Sequence, residues 1–409
     1  MTKIEFVRDY LTQLFSDRIR HDRVTDKLQL LSEQGTWVEL TKRDINTMVC
    51  ECATLSEKNI TDKEVRCVLN SDFVPMVHPL RDYVRSLQPY DPASGDWIDQ
   101  LASQVTVVGD QTRFRQVFKK WFVGMVAGWM NDEVVNQHVL VLIGKQGIYK
   151  TTWLERLLPP ELRGYGCKLC NLHDMDKDDR LRIAEYGLIN IDEIDALTER
   201  ELNQMKSVIT SSDVNERAAY GYNKERRIRL ASFCASGNKR EFLTDTTGNR
   251  RWLPFEVESI ESPFLHPLVP YAMIYAQAWW LVQNGFNYWF DTEDIRALEQ
   301  HTESFHRETS EEQLLRVFYT PTTLETQGAV LRTAAEISAK LTWQGNIRHP
   351  MTLQQLGRLL SAEGFTQVRY GKNRTRGYFV LENQRNMAAD EAIMADLREQ
   401  VADNADNTF

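Results

Sequence analysis

An apolar run that leads into a glycine-rich loop constrains the fold of this chain more than any other feature. Residues 138–143 have the length and β-branched content of a buried strand, and Gly-Lys-Gln-Gly-Ile-Tyr-Lys-Thr follows at 144–151. A strand, a first glycine and a closing Lys-Thr pair are typical of a loop whose backbone N–H groups hold phosphates. The sequence therefore predicts an α/β core that binds a nucleoside triphosphate.

Roles within this loop follow from the pattern. Lys150 is predicted to reach the β- and γ-phosphates of ATP, and the Thr151 hydroxyl is predicted to bind Mg²⁺. Tyr149 departs from the pattern, because it stands where glycine is usual and adopts left-handed backbone angles less cheaply. An ordinary strand-to-helix turn is the alternative interpretation. The predicted nucleotide site comprises Gly144, Gly147, Lys150, Thr151 and Thr152.

Polar residues follow two further apolar runs. After the run 186–191, Asp192 is the candidate Mg²⁺ ligand and Glu193 the candidate general base for the attacking water. After the run 230–235, Asn238 is the candidate that orients this water, although Ser-Gly-Asn is also a common turn sequence. Because the carboxyl ends of parallel strands meet at one edge of a sheet, we expect these residues near the loop.

Two adjacent arginines, Arg250 and Arg251, offer guanidinium groups for a phosphoryl-transfer site. Only one of them can point into a given site. Arg251 is the first choice for a group that acts on a neighbouring subunit, and Arg250 is the alternative or an ion-pairing partner. A structural role for both is the remaining interpretation.

Two basic clusters stand outside these motifs. The cluster at 220–229 combines aromatic and basic residues and predicts a hairpin loop that reaches for DNA phosphates. The second cluster lies between two predicted strands that follow a predicted helix at 352–364, an order that indicates a winged helix. Solvated loops, or a protein-binding wing, are the alternatives. The candidate DNA contacts are Lys224, Arg226, Arg227 and Arg229 in the first cluster, and Arg369, Lys372, Arg374 and Arg376 in the second.

Composition narrows the classes that remain. A net charge of −9 argues against a uniformly basic surface, but it allows a few basic loops that line a channel. No apolar stretch or leader-like start predicts a membrane segment, so we expect a cytoplasmic protein without a membrane partner. Six cysteines are too few for a disulfide scaffold, and Cys167, Cys170 and His173 lack a second ligand pair at zinc spacing.

The motifs in their order resemble the virulence-associated protein E (VapE-like) family of phages and mobile elements, close to superfamily 3 helicases of the AAA+ class. The segments GKQGIYKT, INIDEID, the stretch 202–233, ASGNK and TGNRRW follow one another between Gly144 and Trp252. The region around Trp37 and His78 is more loosely similar to the segment before the ATPase.

This resemblance implies an ATP-driven DNA helicase of replication, assembled as a homo-hexameric ring with ATP sites between subunits. It places Lys206 and the loop 224–229 against single-stranded or forked DNA in the channel. Residues 1–105 lack a convincing polymerase carboxylate motif, so primase activity would come from another chain. An ATP-binding origin-recognition or regulatory protein, and a defence-associated ATPase, are the alternatives without unwinding activity.

The expected fold class is α/β, with a P-loop NTPase core, an N-terminal helical domain and a C-terminal winged-helix domain. The expected boundaries are 1–105 for the helical domain, 106–262 for the core, 263–330 for a helical lid and linker, 331–383 for the winged helix and 384–409 for an acidic tail.

Overall fold

A computed structural model describes residues 1–56, 58–169, 177–216, 225–243, 249–264, 270–348, 350–370 and 374–383. The chain separates into two compact units, residues 1–306 and 307–409. This boundary falls within the segment 263–330 that was predicted as lid and linker, and the predicted tail 384–409 lies outside the described residues. In the part of the chain that is described, no helix is both long and apolar enough to span a membrane.

The first part of unit 1 combines helices with a small sheet. Capping boxes at Thr2 and Thr41 begin two of the helices. The expectation of a helical domain was incomplete, because four strands also form a sheet here, in the spatial order Trp37–Glu39, Lys27–Leu31, Ile19–Asp22 and Met76–Val77. These strands are short and partly exposed, so they leave no long apolar run in the sequence. The elements are α1 (Lys3–Phe15), β1 (Ile19–Asp22), β2 (Lys27–Leu31), β3 (Trp37–Glu39), α2 (Lys42–Leu55), α3 (Asp62–Leu69) and β4 (Met76–Val77).

The rest of unit 1 contains a larger six-stranded sheet, a separate two-stranded sheet and helices. Its elements are α4 (Pro79–Ser86), α5 (Trp97–Ser103), β5 (Val105–Val107), α6 (Gln111–Met130), β6 (Val139–Ile143), α7 (Lys150–Glu155), β7 (Gly166–Leu169), α8 (Lys177–Glu185), β8 (Leu188–Ile191), α9 (Glu199–Thr210), β9 (Asp213–Glu216), β10 (Glu225–Ile228), β11 (Ser232–Gly237), β12 (Trp252–Ile260), α10 (Tyr271–Gln283) and α11 (Thr292–Glu303). The strand order is β5-β12-β6-β11-β8-β7, with β5 antiparallel to β12 and the other neighbours parallel. The predicted parallel sheet with helices is therefore confirmed.

Alternating side chains of β6 enter two different cores. Leu140 and Leu142 pack on the side of α6, whereas Val139, Val141 and Ile143 pack on the opposite face. Both faces of the strand are buried, which explains the unbroken apolar run in the sequence. Helix α10 packs against α5 and α6 and contributes buried side chains to the first core, so this part of the predicted lid belongs to unit 1.

The described part of unit 2 packs three helices with an antiparallel sheet. Its elements are α12 (Ser310–Phe318), β13 (Tyr319–Pro321), β14 (Val330–Arg332), α13 (Ala334–Gly345), α14 (Leu353–Ala362), β15 (Gln367–Tyr370) and β16 (Thr375–Glu382). The predicted helix at 352–364 is α14, which begins at the capping residue Thr352 and is followed by Gly364 in a left-handed conformation. Strands β15 and β16 form the predicted antiparallel pair after it.

Candidate functional site

The loop between β6 and α7 has the backbone geometry that its glycines permit. The Gly144 N–H donates to the Gly237 carbonyl at 3.2 Å, and a Cβ on Gly144 would lie 2.6 Å from the Val257 carbonyl oxygen. Only glycine fits there. Gly147 has φ 86°, and Tyr149 has φ 67° and ψ 17°. Tyr149 therefore takes the left-handed conformation, at a cost of about 1–2 kcal/mol for a residue other than glycine.

The Lys150 ammonium group lies at the start of this loop. Its Nζ donates to the carbonyl oxygens of Gly144 at 2.8 Å and Lys145 at 2.6 Å, and to Asn238 Oδ1 at 3.4 Å. The side chain is largely buried, and burial lowers its pKa below the ordinary value. The loop thus presents one partly desolvated positive charge, held by neutral dipoles that an anion could replace.

Two hydroxyl groups and a carboxylate converge beside this lysine. Thr151 Oγ1 lies 3.2 Å from Asp192 Oδ1, and Ser236 Oγ lies 2.6 Å from the same oxygen. The two hydroxyl oxygens are 3.0 Å apart. Mg²⁺ prefers such oxygen ligands and usually takes only one or two carboxylates together with substrate phosphates. The donor set therefore fits Mg²⁺, although sequence reasoning missed Ser236.

The other oxygen of Asp192 is bound by Lys168, which sequence reasoning also missed. Lys168 Nζ lies 2.6 Å from Asp192 Oδ2. Burial alone would raise the pKa of Asp192, but hydrogen bonds from Lys168 and Ser236 outweigh it and hold this pKa below its ordinary value. Asp192 is ionised at neutral pH, with one oxygen toward the hydroxyl groups and the other toward Lys168. Only the register of β7 on β8 could have revealed this contact.

Two turns at the carboxyl ends of β8 and β11 are joined by Asp195. Its carboxylate accepts hydrogen bonds from the backbone N–H of Asn238 at 3.0 Å and of Lys239 at 3.2 Å. A Cβ on Gly237 would lie 2.7 Å from Asp195 Oδ1 and 2.8 Å from Ile143 Cδ1, so a side chain at this position would displace both neighbours. Glu193 is exposed beside this turn with φ 54°, an uncommon conformation for a residue with a side chain.

These segments enclose a cleft of about 320 Å³. Gly147, Lys150, Thr151, Thr152, Asp192, Glu193 and Asn238, all predicted as site residues, line it together with Gln146, Tyr149, Ser236 and Gly237. Within the described residues, no group of three or more His, Cys, Asp or Glu side chains could hold a metal. Cys170 and His173 lie outside the described residues.

Arg250 and Arg251 do not line this cleft. They end a short turn before β12, whose Trp252 pairs with Val139 and whose Glu256 pairs with Ile143. At about 3.3 Å per strand residue, the arginines lie roughly 13 Å or more along the sheet from the loop, at the amino end of β6. There they neighbour His138, whose pKa is lowered to about 4 by burial, with both guanidinium groups adding to the effect.

Comparison with known proteins assigns the region that contains the cleft. The family model of the virulence-associated protein E-like domain matches residues 89–307, more than half of the chain. The chain belongs to this family. The VapE-like match includes every residue of the cleft and ends at the boundary between the two units.

Solved structures similar to this VapE-like chain include "The apo structure of NrS-1 C terminal region (305-718)". It is 10% identical with a TM-score of 0.44, and the match covers 93% of this chain and 99% of that chain. The A form apo structure of the same region is 12% identical with a TM-score of 0.44, covering 93% and 100%. A comparison with curated proteins finds no match.

The first basic cluster of the VapE-like domain is only partly available to a ligand. Strands β9 and β10 pair antiparallel, whereas Lys224 and the rest of 217–224 lie outside the described residues. Arg226 lies in β10. Arg227 forms ion pairs with Glu185 at 3.0 Å and Asp26 at 3.2 Å, and its side chain is 14% exposed. Lys206 is half-buried in α9.

The prediction that Arg229 contacts DNA is wrong. Its side chain is buried and donates hydrogen bonds to the backbone carbonyls of Ala231 at 3.0 Å and Asn136 at 2.8 Å. Further carbonyls at the end of α9 also accept from it. Burial lowers its pKa to about 9. Arg229 therefore connects the end of α9 to the segments that contain Asn136 and Ala231 by buried hydrogen bonds, and its side chain cannot contact a nucleic acid.

The second basic cluster, in unit 2, is exposed. Arg369, Arg374 and Arg376 all face solvent, and Arg369 is directly opposite Arg376 in the β15–β16 register. Arg374 has φ 51° just before β16. Lys372 lies outside the described residues.

Proposed function

We propose that this VapE-like protein is an ATP-dependent DNA helicase that acts in the replication of a phage or mobile element. In this proposal unit 1 contains a P-loop ATPase core of the AAA+ and superfamily 3 type, and unit 2 is a winged-helix domain. The protein works as a hexameric ring on single-stranded DNA, with a separate primase. One observation carries the proposal: Lys150, Thr151, Asp192, Glu193 and Asn238 line a single cleft.

Nucleotide binding uses the loop and its lysine. The phosphates of ATP would accept hydrogen bonds from backbone N–H groups of the loop, whose conformation depends on the tight packing of Gly144 and the positive φ of Gly147. Lys150 would exchange the carbonyl oxygens that it now contacts for phosphate oxygens, which carry full negative charge. Partial burial strengthens this interaction, since less water screens it.

The carboxylates have separate roles in hydrolysis. Thr151 and Asp192 would hold Mg²⁺, with Ser236 and Lys168 orienting the Asp192 carboxylate. Mg²⁺, when bound, neutralises part of the phosphate charge. Glu193 would accept the proton of the attacking water, and Asn238 would orient that water. Asn238 is suited to this role because its Oδ1 is already within 3.4 Å of Lys150 Nζ.

A transition-state arginine would have to come from a neighbouring subunit. Arg250 and Arg251 lie at the opposite end of the sheet from the cleft of their own chain. In a ring, this edge of one subunit would face the cleft of the next, with Arg251 as the first choice for the contact. The proposal therefore requires hydrolysis to depend on assembly.

The decisive test of the ATPase is Lys150→Ala. We expect loss of ATP hydrolysis by about 10²-fold or more, with the far-ultraviolet circular dichroism and thermal unfolding of the wild type. Lys63→Ala removes an exposed lysine of α3, far along the chain from the cleft, and should hydrolyse ATP normally. Unchanged turnover in the Lys150 variant would refute the assignment.

Unwinding needs its own experiment. Displacement of one strand from a forked duplex should require ATP and should disappear in the Lys150→Ala protein. Hydrolysis stimulated by DNA without strand displacement would instead favour an origin-recognition or regulatory protein. Hydrolysis triggered without DNA would favour a defence-associated ATPase.

A further inference from the structure

The left-handed conformation of Tyr149 requires a physical reason. Glycine would adopt the same backbone angles without cost, yet this chain places a large ring at φ 67°. A residue other than glycine persists in this region only where its surroundings hold it, and such residues cluster at ligand sites. The Tyr149 side chain is 39% exposed and lines the cleft. The ring therefore gives the cleft an aromatic surface that glycine would not supply.

A second exposed ring lies against Tyr149. Phe264, which follows β12 by four residues, is 71% exposed. The centroids of the two rings are 6.1 Å apart and their planes are inclined by 73°, an edge-to-face arrangement that aromatic pairs prefer. We call these two residues the aromatic rim, because they form a continuous exposed aromatic surface that begins at the cleft.

Contacts within the protein hold Phe264 in place. The Arg156 guanidinium lies over the Phe264 ring, 5.2 Å from its centroid, and its Nη1 donates a hydrogen bond to the Pro263 carbonyl. The Arg156 carbonyl accepts a hydrogen bond of 2.6 Å from the hydroxyl of Tyr271 in α10. Phe264 is therefore tied to the end of α7, while most of its surface stays exposed.

The aromatic rim lies along the side of α7 that continues from the cleft. Thr152 lines the cleft, and the Arg156 N–H donates to the Thr152 carbonyl at 3.1 Å, so the two residues are one helical turn apart on the same side. From Lys150 to Arg156 the helix rises about 9 Å. A nucleotide whose phosphates contact Lys150 would therefore extend past Thr152 and bring its base to the rim.

We propose that the aromatic rim binds the nucleobase by stacking, so that Tyr149 makes a contact that glycine at this position of the loop cannot make. Every base has an aromatic face, and bases stack on exposed aromatic side chains. Stacking does not depend on the hydrogen-bonding pattern of the base, so the rim accepts adenine and guanine alike. The inference rests on the proposed nucleotide site and assigns the part of that site that recognises the base.

The experiment compares ADP, which carries a base, with inorganic pyrophosphate, which does not. Binding of each to the full chain with Mg²⁺ is measured by isothermal titration calorimetry, so the result does not depend on ATP hydrolysis. Phe264→Leu and Tyr149→Leu keep an apolar side chain but remove a ring, and the second also keeps the Cβ of a residue in the left-handed conformation. Each should weaken ADP binding about tenfold and change pyrophosphate binding less than about twofold.

Kinetics and a second base sharpen the test. Phe264→Leu should raise KM for ATP about tenfold with kcat close to that of the wild type, because the base contact is the same in the bound state and the transition state. The double variant should weaken ADP binding by less than the product of the single effects, because both rings contact one base. Wild-type affinities for ADP and GDP should agree within about threefold.

Trp289→Leu is the matched control, because it removes an aromatic side chain of unit 1 that is 58% exposed and does not line the cleft. Thermal unfolding of each variant checks the fold. Unchanged ADP binding, or an equal loss for ADP and pyrophosphate, would overturn the aromatic rim. A large preference for ADP over GDP would overturn recognition by stacking. A wild-type protein that binds neither ADP nor pyrophosphate would refute the nucleotide site itself, so the two proposals fail in different ways.

Discussion

The two basic hairpins of this protein are alike in sequence and different in structure. In the β9–β10 pair, Arg227 is held by two acidic side chains, and Arg229, just after β10, is buried among carbonyl groups. In the β15–β16 pair, Arg369 and Arg376 face each other in solvent. A guanidinium group whose hydrogen bonds are made within the protein stabilises the fold, whereas one without partners is available to an anion. Composition alone does not distinguish them.

The largest effect that follows from this difference is expected at Arg229. Arg229→Met should lower the free energy of unfolding by about 3–5 kcal/mol, because it leaves several buried carbonyl oxygens without a donor. Urea unfolding followed by circular dichroism measures the loss. Arg200→Met, at an exposed position of α9, should change stability by less than about 0.5 kcal/mol. Equal effects of the two substitutions would remove the distinction between the hairpins.

A partly buried histidine beside two cations should make stability depend on pH. The folded pKa of His138 is about 4, below its ordinary value of 6.5. Between pH 6.5 and about pH 4, the unfolded chain therefore binds a proton at His138 and the folded chain does not. The free energy of unfolding falls as pH is lowered through this range. From about pH 7.5 to about pH 5, His138 should account for about 2 kcal/mol of the loss.

His138→Gln tests this assignment. Urea unfolding at both pH values should give a smaller pH-dependent loss in the variant than in the wild type. The loss should not vanish, because burial also lowers the pKa of His78 to about 4. An unchanged loss would show that His138 is not kept neutral by its surroundings.

A smaller effect is expected at Arg227. Arg227→Gln removes its ion pairs with Asp26 and Glu185 and should cost about 1 kcal/mol of stability. The salt dependence of single-strand binding should stay that of the wild type, because this cation is already paired. Anisotropy titrations check the slope. A fall of this slope by about 0.7 or more, the contribution of one phosphate contact on a single strand, would contradict the comparison.

The smallest effect has the opposite sign. Arg376→Gln should raise the stability of unit 2 by a few tenths of a kcal/mol, about the lower end of cross-strand effects, because it removes the repulsion from Arg369. The gain should disappear at about 0.5 M salt, where exposed charges are screened. Thermal unfolding at low and high salt measures it. Destabilisation at low salt would show that Arg376 has a favourable partner.

Sequence predicted the parts of the site that depend on strand order along the chain. The carboxyl ends of parallel strands lie at one edge of the sheet, which brings Asp192, Glu193 and Asn238 close to Lys150. Each of these strands is recognisable in the sequence as an apolar run. Ser236 and Lys168 were missed because their contacts with Asp192 depend on register between strands. Arg229 was misassigned because burial is a tertiary property, and the small N-terminal sheet was missed because its strands are short and half-exposed.

The contacts of Asp195 have a mechanical consequence. They fasten the turn that carries Asn238 to the turn that follows Asp192 and Glu193, and Gly237 leaves no gap between the two turns. We therefore expect a displacement of Asn238 to move Glu193 as well. If Lys150 binds the terminal phosphate and Asn238 orients the water beside it, release of the phosphate would free Asn238 and, with it, Glu193. In the proposed ATPase, hydrolysis would then shift these two turns together relative to the loop 144–151.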